Sequence, residues 1–161
     1  MQLRTLVPTA LAVTATGVIG GLASRPAQSA WFAKLKKPPY QPPRLAFPIV
    51  WNLLYANIAA TSAATLDELE ERGLHQERRA YIAALASNLV LNASWSWLFF
   101  NQRRLGTAAV AAGVLAASSA DLTRRSMSVQ GAKAAPLAAY PAWCTFATAL
   151  STHIWALNRR R

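Results

Sequence analysis

The side chains able to do chemistry in the apolar part of this chain are aromatic rings and amides. Trp51, Trp95, Trp97, Trp143 and Trp155 lie in stretches that contain no Asp, Glu, Lys or Arg, and so do Asn52, Asn57, Asn88 and Asn92. Without paired carboxylates there, the acid and base of an ordinary hydrolase are missing, as is the relay of an ion pump. The lone Cys144 excludes an internal disulfide and a cysteine-built metal cluster. What remains is stacking on rings and hydrogen bonding to neutral donors, which suits a flat, apolar, poorly soluble ligand: a steroid, a tetrapyrrole or a lipid tail.

Helical spacing gathers these residues onto faces, since positions three, four, seven or eleven apart share one stripe. The second predicted helix presents Trp51, Tyr55, Ile58 and Ser62, the third Asn88, Asn92, Trp95 and Phe99, and the fifth Trp143, Ala147, Leu150 and Ile154. An unpaired amide in hydrocarbon costs several kcal/mol, so Asn88 and Asn92 are expected to face the bundle interior. There they either bond across helices or meet a ligand. Trp155 and Trp97, close to helix ends, fit an interfacial belt. His153 is a formal candidate for haem ligation but sits about 80° from Trp143 on the helical wheel. Packing or interfacial exposure is the expected role.

The elements that carry these faces are set by where charge is absent. Residues 5–24, 45–66, 80–102, 105–120 and 134–158 hold no acid, lysine or arginine. Most are close to the ~20 residues that cross a ~30 Å hydrocarbon core as a helix. The chain is 53% hydrophobic and 14% charged, against roughly 25% charged in soluble domains. Mean hydropathy is only +0.18 because the spans are rich in Ala, Ser and Thr, small residues that let helices approach closely in lipid. The reading is an all-α integral membrane protein, one domain over residues 1–161. Its five transmembrane helices span about 5–24, 45–66, 80–102, 105–123 and 134–158. Residues 27–30 offer a cleavable secretory signal as an alternative, but the first apolar run is longer than the usual 7–15 of a signal core, which favours a retained helix. Gly17 and Gly21 form a Gly-x-x-x-Gly pair, expected to serve packing within the chain.

The net charge of +11 would ordinarily suggest nucleic acid. Here the cations are dispersed over connectors and the C-terminal tail, so no nucleic-acid partner is expected and membrane lipid is. Counting Lys and Arg puts 10 on the side of the 25–44 loop and the C-terminus against 7 on the other, which favours the former as cytoplasmic. The 25–44 loop is basic and rigidified by Pro38, Pro39, Pro42 and Pro43. Its Lys34, Lys36, Lys37 and Arg44 are candidates to meet carboxylates of a ligand at the rim or to face lipid headgroups. The acid-rich stretch 67–77 reads as a solvated helical extension.

Residues 31–43, Trp-Phe-Ala-Lys-Leu-Lys-Lys-Pro-Pro-Tyr-Gln-Pro-Pro, with Phe47-Pro48-Ile49-Val50-Trp51 and Leu54-Tyr55, resemble the first loop and second helix of the TspO/translocator protein family, the tryptophan-rich sensory proteins. Asn92-Ala93-Ser94-Trp95-Ser96 with Phe99-Phe100 is similar to that family's third helix. Tyr140-Pro141-Ala142-Trp143, Phe146-Ala147, Ile154-Trp155 and Leu157-Asn158 are similar to its fifth. The resemblance implies five transmembrane helices, often a homodimer, in a bacterial cell membrane, with a pocket under the first loop that binds porphyrins such as protoporphyrin IX and haem. By matching position it makes Trp51 and Trp143 the pocket tryptophans, adds Tyr55, Asn92, Trp95 and Ala147 to the lining, and assigns Trp31 and Pro42 to the lid. Asn88 joins them from its stripe.

Departures from the family pattern are Tyr40 for Trp, Trp97 for Pro, Ser151 for Asn and Ala139 for Pro. They bear on ligand specificity and leave the fold untouched. The resemblance implies a porphyrin receptor with a regulatory or transport-related role and no required cofactor. Light-dependent porphyrin breakdown and carriage of a tetrapyrrole or lipid-like ligand are the alternatives.

Overall fold

The computed structural model describes residues 2–159, so Arg160 and Arg161, counted above on the loop side, lie outside the described residues. In hydrocarbon every backbone N–H and C=O must be satisfied within the chain, and helices do this locally. The apolar stretches accordingly form α1 (Leu3–Ala23), α3 (Ala46–Glu71), α4 (His75–Ser96), α5 (Leu105–Gln130) and α6 (Ala139–Asn158), with a short α2 (Ala30–Lys34) in the loop between α1 and α3. A π turn over Trp97–Asn101 prolongs α4, and 3-10 turns cover Arg25–Gln28 and Gly131–Ala138.

Four segments are long and apolar enough to cross a membrane, the last running from Leu105 to Asn158. At 54 residues it would be about 80 Å long if straight, far more than a bilayer. It folds back on itself instead. A Cβ at Gly106 would meet Trp155 and one at Gly113 would meet Thr148, so advancing along α5 moves backwards along α6. The two helices are antiparallel neighbours, and the architecture is an all-α bundle of five long helices. α1 packs on α3 and α4, while α5 packs on α4 and α6.

Helix ends depart from the charge-free limits in an instructive way. α3 continues to Glu71 and α4 starts at His75, whereas the expected limits were about 66 and 80. α5 runs to Gln130 instead of about 123, and α6 begins at Ala139 instead of 134, because Pro136 stands in the 3-10 turn before it. Charge marks where a helix leaves hydrocarbon, not where it stops. Once in water, pairs one turn apart support it, as with Arg72 and Glu68 at 2.7 Å and Arg125 and Asp121 at 2.6 Å. Gly73, at φ +69°, makes the tight turn between α3 and α4.

The larger core cluster extends into the half of the bundle away from the 25–44 loop, and a smaller one, around Phe32, Phe99, Ala108, Leu150 and Ile154, lies at the loop end. Ile58, Leu122, Leu137, Tyr81 and Tyr140 are fully buried in the larger one. Tyr81 Oη donates to Ser62 Oγ at 3.0 Å and lies 2.8 Å from Ser126 Oγ, joining α3, α4 and α5. Val7, Leu11, Leu53, Val90 and Val110 point outward and are more than half exposed, the apolar exterior expected of a bundle surrounded by acyl chains.

Candidate ligand-binding site

In the other half of the bundle the helices part around a cavity of about 470 Å³. Its walls come from the last turns of α1, the first half of α3, the end of α4 with its π turn, and the second half of α6. The 25–44 segment closes the top. That segment is built to stay put. Ser29 caps α2 by accepting from the Phe32 N–H at 3.3 Å, and Lys37 Nζ returns to donate to the Phe32 carbonyl at 2.6 Å. Phe32 is buried between Phe99 and Phe100, with centroids 6.3 Å and 5.6 Å away. The prolines that follow stiffen two turns before α3, in which the Gln41 N–H donates to the Pro38 carbonyl at 3.1 Å and the Ala46 N–H to the Pro43 carbonyl at 3.0 Å. Asn158 of α6 then fastens the segment from the far side, accepting from the Lys36 N–H at 3.1 Å and donating to the Lys36 carbonyl at 2.9 Å.

The structure divides each sequence stripe by depth. Trp51 and Tyr55 line the cavity, while Ile58 and Ser62 continue their face into the core. Trp95 and Phe99 line it, while Asn88 and Asn92 lie below. Both amides are buried and committed to the helix core. Tyr140 Oη donates to Asn88 Oδ1 at 2.8 Å and accepts from Asn92 Nδ2 at 3.1 Å. Asn92 Oδ1 accepts from Tyr55 Oη at 2.9 Å, and Asn88 Nδ2 donates to Ser118 at 3.1 Å. On α6, Ala147, Leu150 and Ile154 face the cavity. Trp143 stands one side chain back, against Phe47, a wall residue, at 5.9 Å between centroids. Trp51 lies on Tyr55, 5.4 Å between centroids and 29° between planes.

The lid candidates take a supporting place. Trp31 packs edge-on against Phe99 at 6.5 Å, with the Arg103 guanidinium 5.2 Å above its ring. Arg103 adopts φ +55°, a left-handed conformation uncommon for a side-chain-bearing residue, as the chain leaves the π turn. Pro42 is half-buried beside Gln41, which does reach the cavity. His153 is not on the wall: its Nδ1 lies 3.1 Å from Tyr40 Oη at an exposed site on α6.

Two parts of the wall escaped the sequence reading. Gly17, Gly20 and Gly21 form the α1 side. A Cβ at Gly17 would come within 3.0 Å of the Tyr55 ring, whereas one at Gly21 would meet nothing within 4 Å. Of the Gly-x-x-x-Gly pair, Gly17 serves close packing inside the chain, while Gly21 faces open space at the cavity. Phe100 joins Phe99 on the wall because the π turn, with Gln102 N–H bonded to the Trp97 carbonyl at 3.1 Å, widens the helix there. A run of aromatics at a helix end does not announce such a turn.

Sequence comparison decides the lineage: the TspO/MBR family model matches residues 9–156. The chain belongs to the TspO/MBR family. It is 34% identical to the translocator protein of Ovis aries over 160 residues, covering 98% of this chain and 89% of the relative. It is 31% identical to the tryptophan-rich protein TspO of Archaeoglobus fulgidus, over 98% of this chain and 99% of that one. A tryptophan-rich sensory protein of Cereibacter sphaeroides is 28% identical over 81% of this chain and 78% of its own. The family is a five-helix transmembrane bundle, and the chain is a multi-pass integral membrane protein.

Proposed function

We propose that this protein is a membrane receptor for porphyrins, protoporphyrin IX or haem, with a regulatory or transport-related role in tetrapyrrole metabolism. The observation that carries this reading is the cavity beneath the lid. Its volume of about 470 Å³ falls within the ~300–1,000 Å³ of small-molecule sites. Phe47 and Trp51 from α3, with Trp95, Phe99 and Phe100 from α4 and its π turn, give it a wall of rings. A flat, conjugated macrocycle gains most from such a wall, by stacking and edge contacts together with removal of its faces from water. The site brings no carboxylate or metal-binding cluster into the cavity among the described residues. Shape and apolar contact are the main chemistry these side chains support, with Arg44 the charged group at the mouth.

Titration of the detergent-solubilised protein with protoporphyrin IX should quench tryptophan fluorescence saturably and shift the Soret band. Affinity is read from the Soret band, since removing indoles alters the fluorescence itself. Trp51→Ala combined with Trp143→Ala should weaken binding by at least tenfold. Unchanged affinity in that double variant would sink the pocket assignment.

A further inference from the structure

Among the polar side chains around the cavity, Ser24 and Tyr55 have partners within the protein. Ser24 Oγ donates to the Gly20 carbonyl at 2.7 Å, and Tyr55 Oη donates to Asn92. Two buried atoms on wall residues have no hydrogen-bond partner among the described residues, Gln41 Oε1 and Trp95 Nε1. One charged side chain lines the cavity among the described residues, Arg44, at the mouth just after Pro42-Pro43.

Among the described residues, the charge of Arg44 has no counter-ion nearby. All six acids of the chain, Asp67, Glu68, Glu70, Glu71, Glu77 and Asp121, belong to the opposite half of the bundle. The acidic end of α3 at Glu71 is separated from Arg44 by a 26-residue helix, about 39 Å at 1.5 Å per residue. That far exceeds the ~8 Å over which exposed charges act at physiological salt. Other cations near the lid are engaged: Lys37 with the carbonyls and ring of Phe32, Arg103 with Trp31. Burial, and then the positive charge of Arg44, hold the Lys37 ammonium below the usual lysine range. The two cations thus share a region with no anion between them.

We propose that Arg44 is the docking point for a carboxylate on the ligand's edge, so that the cavity selects flat apolar molecules carrying an anionic group at one end. The inference deepens the porphyrin reading and rests on it. The ring system enters between α1, α3, α4 and α6, and the acidic edge stays at the mouth, where the guanidinium can take it in a two-pronged hydrogen bond. Lys34, Lys36 and Lys37, candidates for the same task by sequence, do not line the cavity.

The test compares protoporphyrin IX with its dimethyl ester, which keeps the macrocycle and removes both charges, in a neutral detergent free of anionic lipid. The wild-type protein should bind the diacid at least about tenfold more tightly than the ester, a modest return for one charged hydrogen-bonded pair. Arg44→Gln should abolish that preference by weakening the diacid and leaving the ester unchanged. Arg44→Lys should restore part of it. Arg159→Gln, at the same end but away from the wall, should leave the ratio intact. Equal affinity for diacid and ester in the wild type overturns the carboxylate assignment while leaving the porphyrin reading standing. Equal effects of Arg44→Gln and Arg159→Gln overturn it in favour of a diffuse cationic surface. Binding of neither porphyrin overturns the receptor reading and this inference with it.

Discussion

At mid-depth in the bundle, Tyr140 donates to Asn88 and accepts from Asn92, and Asn92 in turn accepts from Tyr55. Towards the lid on the same α4 face, the Trp95 indole N–H has no partner among the described residues. The same kinds of side chain, rings and neutral polar groups, serve opposite ends. Where the polar atoms are paired, the helices are locked together and the space is full. The open indole of Trp95 stands on the cavity wall. Charge follows the same division. Glu70 pairs with Arg4 at 3.3 Å and with Arg78 at 3.4 Å in the acid-bearing half, while Arg44 at the cavity mouth meets no acid among the described residues. Pairing closes the middle of the bundle, while the cavity wall keeps two buried polar atoms, Gln41 Oε1 and Trp95 Nε1, without partners among the described residues.

The contrast can be broken most forcefully at Tyr140. Replacing it with Phe strands two buried amides, and stability should fall by about 2 kcal/mol, seen as a lower unfolding midpoint in detergent. An unchanged midpoint would mean the network contributes nothing. Asn158→Ala removes both bonds to Lys36 and should cost about 1 kcal/mol. It should also speed porphyrin dissociation measured by stopped flow, because the lid loses its tie to α6. Equal dissociation rates in the two proteins would show that the aromatic contacts of α2 alone hold the segment.

Glycine substitutions sharpen the boundary on α1. Gly17→Ala pushes a methyl into the Tyr55 ring and should destabilise by about 1 kcal/mol. Gly21→Ala, with open space before it, should leave the midpoint unchanged or slightly raised. The reverse order would overturn the placement of the cavity along α1. The smallest effect belongs to the surface pairs: Glu70→Gln should cost under about 0.5 kcal/mol, diminishing with added salt. A larger loss would show that the acid-bearing end contributes more to stability than its exposed geometry allows.

Much of the site was legible in residue order. Charge-free runs located five helices, and helical periodicity put Trp51 with Tyr55, Trp95 with Phe99, and Ala147 with Leu150 and Ile154, all of which line the cavity. Their family motifs pointed to the same residues. Asn88 and Asn92 lie on the expected face yet spend their hydrogen bonds on Tyr140, Tyr55 and Ser118. Trp143 lies behind Phe47. Phe100 reached the wall only through a π turn, and the glycines only by the course of α1 past α3.

The physical reason is that periodicity specifies direction and not depth. A residue's position along a helix decides which way it points, through the fixed angle per residue, and a lack of charge decides that the helix lies in hydrocarbon. By itself the sequence determined the all-helical bundle, its inward faces and the basic, proline-stiffened loop. Which atoms on those faces find partners depends on what the neighbouring helices bring to the same level, as Tyr140 does for Asn88 and Asn92. Only the tertiary structure decided that the lower half of each stripe is closed, that the upper half is open, and that Arg44 is the cation left at the mouth.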